Sequence, residues 1–553
     1  MVLSRVAASA LFVFLIVAPA FAQQPPQKPA APPTTDTLPI TALAPAKLVP
    51  NLCVLKYRVS TNSPDCQAFF DQGLGYLYSY VWMEAARSFE TATRHDPDCA
   101  LAWWGLSRAL AHWSRGDANK ALQKANELQG RASDREQLLI KARMQERGLA
   151  PGVGGTKDAR RTAAIDTIDR LLALYEDDQE AWFYRGLLAC EGNLFGGDVR
   201  AVPFYKALLR INPLHPGANH ELVHFYEGFQ RPALGWPYAE NFINSSPGIP
   251  HPFHMQAHLA TRLGRWDKTS NRSTHAIELE RAYHKEMNVK PSDDHQFYHH
   301  LEVLTISLIH DGRFREAHAL KKEIESYGWT FHMPWFRLHL GERDWDEALK
   351  IAQHFRKFDK STASYLAALV YLRQGDCGRA TAEIEVLQQA YRERKHGQLE
   401  YRLWETQGLL MCRTGAAHAG LKLLAKAADR SKNDYGHHSW GNGAYFMEAW
   451  GCAALEAGKD EVAEEAFLEA LAHDPGSVRG ALGMQVLCER HGRTDEAARY
   501  AELARRSWRR AEVGSFDAEL TALKTEHWPQ STPSAQRAQE KTAATGKTTG
   551  IAR

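Results

Sequence analysis

The 553-residue chain carries 67 Lys and Arg against 65 Asp and Glu, a net charge of +2 with no long run of one sign. That balance argues against a nucleic-acid partner or an anionic surface. Its eight cysteines contain no C-x-x-C pair, so zinc ribbons, thioredoxin-like redox centres and c-type haem attachment lack their motif.

In chain order, residues 1–22 read as a signal peptide. Arg5 supplies a positive start, Val6 to Pro19 are nearly all apolar or small, and Ala20-Phe21-Ala22 offers a cleavage site. The apolar run is short for a membrane span, and no transmembrane segment is expected after cleavage. The mature chain is therefore expected to be exported, periplasmic or extracellular; an uncleaved anchor is the alternative. Residues 23–50 are rich in Pro, Ala, Gln and Thr and read as an extended tether. Residues 528–553 form a polar tail expected to be disordered.

Between them, 51–527 show scarce strand signals and helical periodicity punctuated by Gly and Pro, the pattern of an all-α chain. The clearest unit is 444–477. Met447, Trp450, Gly451 and Ala454 fill a first helix, Ala463, Phe467 and Ala470 a second, and Asp474-Pro475-Gly476 breaks the chain. The same template fits 66–99 through Phe69, Gly73, Tyr76, Ala85, Phe89, Ala92 and Pro97. Further copies open near Trp103, Trp182, Pro216 and Pro250. Others centre on Gly312-Arg313-Phe314, Gly341 to Ala348, Gly375 to Ala380, Gly415 and Gly492-Arg493. Residues 150–160 are a Gly-rich loop without a phosphate-binding motif, 281–297 read as an insertion, and 430–442 as a polar, aromatic loop. By spacing and residue type the units resemble the tetratricopeptide repeat (TPR), a helix-turn-helix of about 34 residues that stacks on its neighbours. The resemblance implies a right-handed helical-hairpin solenoid of about nine to eleven copies. Trp103, Trp104, Trp182, Trp335, Trp404 and Trp450 are then packing residues at repeat offsets.

Histidines follow the same period. His220 and His224 lie one helical turn apart, as do His254 and His258, and the second pair follows the first at the spacing of Pro213 and Pro247. The resemblance places His220, His224, His251, His254 and His258 on the concave groove, with His295, His299 and Glu227 as further lining. His295, His299 and His300 form a third group after the insertion. Neutral imidazoles four apart are a standard pair of ligands for zinc or copper, and facing pairs on packed helices can share one ion. The plainer reading is a polar seam in which the rings bond one another and Glu227, or stack on Tyr226 and Phe253.

His220-Glu221-Leu222-Val223-His224 is also a literal H-E-x-x-H, in which Glu221 would activate water on zinc. A third ligand would come from His254, His258, Glu227 or Glu240. The second pair has no Glu at the matching place, and no strand is evident to hold a substrate. Asp293-Asp294 beside His295 reads more simply as an acidic cap on the following helix. Cys66 and Cys99, near the starts of consecutive units, are a candidate disulfide; Cys53 with Cys66 is the rival, and eight buried free thiols the third reading.

Several of these motifs together resemble a family of exported bacterial TPR proteins without a known activity. They are His215-Pro216-Gly217-Ala218 with His220 and His224, His254-Met255-x-x-His258 with Arg262-x-Gly264, Cys66, and the run Asp96 to Gly105. The likeness spans about residues 50–350. The family favours Pro where this chain has Gln256, and an aromatic where it has Glu221, which detaches the histidine pairs from the would-be catalytic Glu. It implies the Cys66–Cys99 pairing. The expected function is non-catalytic: an exported scaffold that holds a peptide or protein in its concave groove. The alternative is a metal-binding protein or metal-dependent hydrolase using His220, His224, His254 and His258.

Overall fold

The computed structural model describes residues 37–190, 198–432 and 443–525. The signal peptide, residues 23–36, nearly all of the 430–442 loop and the 528–553 tail lie outside the described residues.

The described residues hold 25 α-helices and no strand. The first four hairpins are α1 (Pro64–Tyr78) with α2 (Trp82–His95), α3 (Ala100–Trp113) with α4 (Ala118–Glu127), α5 (Asp134–Glu146) with α6 (Lys157–Leu174), and α7 (Gln179–Ala189) with α8 (Val202–Ile211). Next come α9 (Pro216–Gly228) with α10 (Pro232–Ser245), α11 (Pro250–Arg262) with α12 (Trp266–Met287), α13 (Phe297–His310) with α14 (Phe314–Ser326), and α15 (His332–Glu342) with α16 (Trp345–Phe355). The last are α17 (Lys360–Gln374) with α18 (Cys377–Glu393), α19 (Gly397–Arg413) with α20 (Ala417–Lys432), α21 (Tyr445–Glu456) with α22 (Asp460–His473), and α23 (Val478–Arg490) with α24 (Thr494–Ser507), closed by α25 (Ser515–Thr525). The hairpins number twelve, more than the nine to eleven expected. The extra one is α5–α6, whose turn absorbs the Gly-rich 150–156 stretch and so departs from the period.

Local chemistry sets the repeat. Asp96, Asn212 and Asp474 each stand before a proline, which disfavours helical backbone; all three are extended, with φ between −130° and −148°, and each ends a second helix. Within a hairpin, small residues let helices close on a ring. A Cβ on Gly73 would lie 2.8 Å from the Phe89 ring, and one on Gly105 of the next first helix 2.5 Å from it. Phe467 repeats the arrangement between Gly451 and Gly483. Trp104, Trp335 and Trp450 are buried, as their offsets predict.

Part of the stretch read as tether is built into the fold. Backbone amides of Ile40 and Thr41 donate to Glu90 at 2.5 and 2.8 Å, Ala46 to Thr91 at 2.9 Å and Val49 to Gln72 at 2.9 Å. Leu38, Ala46 and Leu52 are buried with them, so ordered chain begins before residue 50.

The solenoid closes on itself twice. The turn after α1 inserts between α9, α11 and α13: His220 Nδ1 donates to the Tyr78 carbonyl at 2.6 Å, and Gln296 reaches the Ser79 carbonyl at 3.3 Å. Further along, Trp266 donates to Asp474 at 3.2 Å, its ring stacks on His310 at 3.7 Å, and Trp508 donates to the His310 carbonyl at 2.8 Å. The hairpins α11–α14 are thus shared between two closed turns.

Candidate functional site

The site lies where the first turn closes. Pro216 and Pro250 each open a first helix, and His215 caps α9 by accepting the Ala218 amide at 3.2 Å. From these starts α9 presents His220, Glu221, His224 and Glu227 inward, α11 presents His251, His254, His258 and Arg262, and α13 presents His299 and His300.

The two sequence pairs do not form one four-histidine set. His220 and His224 join His251, and His254 and His258 join His299; in each triad one nitrogen per ring lies within 4.8 Å of the others. His251 and His299 are therefore ligand candidates rather than only lining. His295 is exposed and belongs to neither triad. Glu240 is exposed and accepts from Trp236, and Asp294 pairs with His284 at 3.0 Å while receiving the Gln296 amide.

The triads differ in their surroundings. His220 and His251 are buried beneath Tyr80, whose ring lies 4.3 Å from that of His220. His251 Nε2 lies 3.0 Å from His220 Nε2, and Gln296 Nε2 3.1 Å from His251 Nδ1. In the second triad His258 Nδ1 donates to Glu227 at 3.0 Å, and its Nε2 faces His299 Nε2 at 3.1 Å. His299 Nδ1 lies 3.5 Å from Glu302, and both side chains are 29% exposed. His254 is buried, and its Nδ1 has no hydrogen-bond partner. Behind it His300 pairs with Glu280 at 2.6 Å.

Burial, reinforced by neighbouring imidazoles, holds His220, His251, His254 and His300 well below the usual histidine range, so they are neutral at physiological pH. Burial alone would raise Glu227, but His258 and Arg262 outweigh it and keep the carboxylate ionised. Glu221 is pushed up to about 7 by burial, partly offset by the Tyr80 hydroxyl that donates to it at 2.7 Å.

All eight cysteines are free thiols. Cys66 and Cys99 are buried neighbours, whereas Cys53 accepts from Ser246 at 3.4 Å. The sequence reading missed Tyr78, Tyr80, Gln296 and Glu302. The first two lie some 140 residues before the helices they seal, and no local pattern links them.

A tetratricopeptide-repeat family model matches residues 70–136. With that repeat and the twelve stacked hairpins of the described residues, the protein is a TPR-containing, all-α helical-repeat solenoid, an architecture that serves as a protein–protein interaction scaffold. No curated protein matches the chain. Among solved structures it is similar to a human IFIT1 dimer with m7Gppp-AAAA, at 14% identity over 81% of this chain and 90% of that one, with a TM-score of 0.28. It is also similar to the APC/C hetero-tetramer Cut9–Hcn1, at 11% identity over 83% and 90%, with a TM-score of 0.31. Likenesses this slight bear on no ligand or partner. No described helix is long and apolar enough to cross a membrane.

Proposed function

We propose that the protein is an exported scaffold that holds a peptide or protein partner against the inner wall of α9, α11 and α13. One observation carries this reading. Three successive first helices each present a partly exposed imidazole, His224, His258 and His299, with Arg262 and Glu302 beside them. The rings behind are buried and fixed, so the rim is a preformed polar surface that meets a partner at little ordering cost. Export rests on the leader-like residues 1–22, and a mature terminus at Gln23 in exported material would support it. The hydrolytic alternative has little to act with: Glu221 is buried on Tyr80, and no strand lies beside it among the described residues to align a peptide.

A photoreactive residue at position 302, on the inner wall, is expected to capture a partner in the exported fraction. The same residue in place of Leu234, an exposed position on the second helix α10, is expected not to. Equal capture from both positions, or capture only from position 234, would contradict the reading.

A further inference from the structure

The two triads look alike in sequence but balance their protons differently. In the first, the rings of His220 and His251 belong to one closed chain of donors and acceptors. Gln296 donates its amide N–H to His251 Nδ1, His251 Nε2–H donates to His220 Nε2, and His220 Nδ1–H donates to the Tyr78 carbonyl. The Gln296 orientation is set by the Ser79 and Tyr80 carbonyls, which both face its nitrogen at 3.3 and 3.4 Å. This chain is complete without an added ion, and both of its rings are buried.

The second triad does not close in this way. Glu227 takes the Nδ1 proton of His258 at 3.0 Å, and the carboxylate beside His299 Nδ1 is that of Glu302, at 3.5 Å. A neutral imidazole has one N–H; with both protons on Nδ1, toward Glu227 and Glu302, the two Nε2 atoms present lone pairs to each other across 3.1 Å. A third buried ring, His254, stands against them with an unpartnered nitrogen. Lone pairs so placed repel unless a cation lies between them. Carboxylates on the far nitrogens are the arrangement that orients metal-bound imidazoles. Tetrahedral zinc with nitrogen at 2.0–2.1 Å sets its ligands about 3.3–3.4 Å apart, close to the 3.1 Å between His258 and His299, with the third nitrogen within 4.8 Å of both.

We propose that His254, His258 and His299 bind one zinc ion, with Glu227 and Glu302 orienting His258 and His299, while His220, His224 and His251 form a metal-free seam. Three protein ligands leave a fourth position for water on the half-exposed side of His299. The ion would join α11 to α13, tying together two first helices of successive hairpins. This site stands whether or not a partner docks on the same wall.

The test is zinc chloride titration of the full chain after chelation, read by calorimetry and by elemental analysis after dialysis. Wild type is expected to retain one equivalent. His299→Ala, at the half-exposed rim, is expected to lose at least 100-fold in affinity, Glu302→Gln about 10- to 100-fold, and His224→Ala less than threefold. Circular dichroism of each metal-free variant separates ligand loss from unfolding. Cobalt substitution adds a readout: wild type is expected to show tetrahedral visible bands that His299→Ala lacks. No retained zinc in wild type, zinc lost in His224→Ala but kept in His299→Ala, or zinc insensitive to every variant would each overturn the proposal. The first outcome means that only a proton bridges the rings, the second moves the ion to the other triad, and the third marks it as adventitious.

Discussion

Glu519 on α25 shows how single buried charges hold the solenoid's end. It pairs with Arg479, and Arg343 lies 3.4 Å away. Burial would raise its carboxyl, but Arg479 outweighs that and holds it at about 2. Unfolded glutamate titrates near 4.3. Because the folded value is depressed, the stabilisation is complete above about pH 4.5 and fades as pH falls toward 2. Glu519→Gln should therefore cost roughly 1–3 kcal/mol near neutrality, since it removes the carboxylate paired with Arg479, whose side chain is 27% exposed. Urea melts at pH 7, 5 and 3 check this: the gap from wild type should narrow toward the acid end, and a pH-independent gap would contradict it. The histidines give the complementary lesson. Their spacing identified the wall, but which nitrogen carries a proton depends on Gln296 and Glu302. Those partners come from the end of the 281–297 insertion and the helix after it, where the 34-residue rule gives no guidance.

At the scale of helices, the hairpins were legible wherever a D-P or N-P break and a Gly–aromatic contact recur, as at Asp96, Asn212 and Asp474. The α5–α6 hairpin was not, because its turn is lengthened by 150–156 and masks the period. Residues 38–49 were not legible either: a Pro- and Ala-rich composition suits an extended strap as well as a free tether, and only burial of Leu38 and Ala46 and the bonds to Glu90, Thr91 and Gln72 distinguish them. The Cys66 and Cys99 thiols join the start of α1 to the cap of α3. In an oxidising compartment we expect them to form the disulfide that the family resemblance implies. A loop of this length would contribute about 3–4 kcal/mol in the chain-entropy model. Thiol titration of denatured, exported protein should then find two fewer free thiols than the eight cysteines present, with Cys66→Ser lowering the melting temperature. A full count of free thiols would refute it.

For the whole molecule, the decisive feature is that both turns close, which periodicity along the chain does not reveal. The second closure rests on a tight backbone crossing. Gly264 has φ +62°, and a Cβ there would lie 2.7 Å from the Gly476 amide as well as striking Asp474. Gly264→Ala should prise the turns apart and enlarge the radius of gyration in solution scattering; an unchanged radius and melting temperature would contradict the closure. Asp474 adds a pH dependence. Burial, with Glu448 nearby, pushes it up to about 7. Its folded value is raised, so its contribution favours the fold below about pH 4 and declines as pH climbs toward 7. The first closure is what gathers α9, α11 and α13 around Tyr80 and separates the buried His220–His251 chain from the triad of His254, His258 and His299. The most direct test of that division is anomalous diffraction at the zinc edge from crystals of the full chain grown with zinc. One peak bounded by His254, His258 and His299 is predicted; a peak between His220 and His251, or none at either triad, would contradict the account.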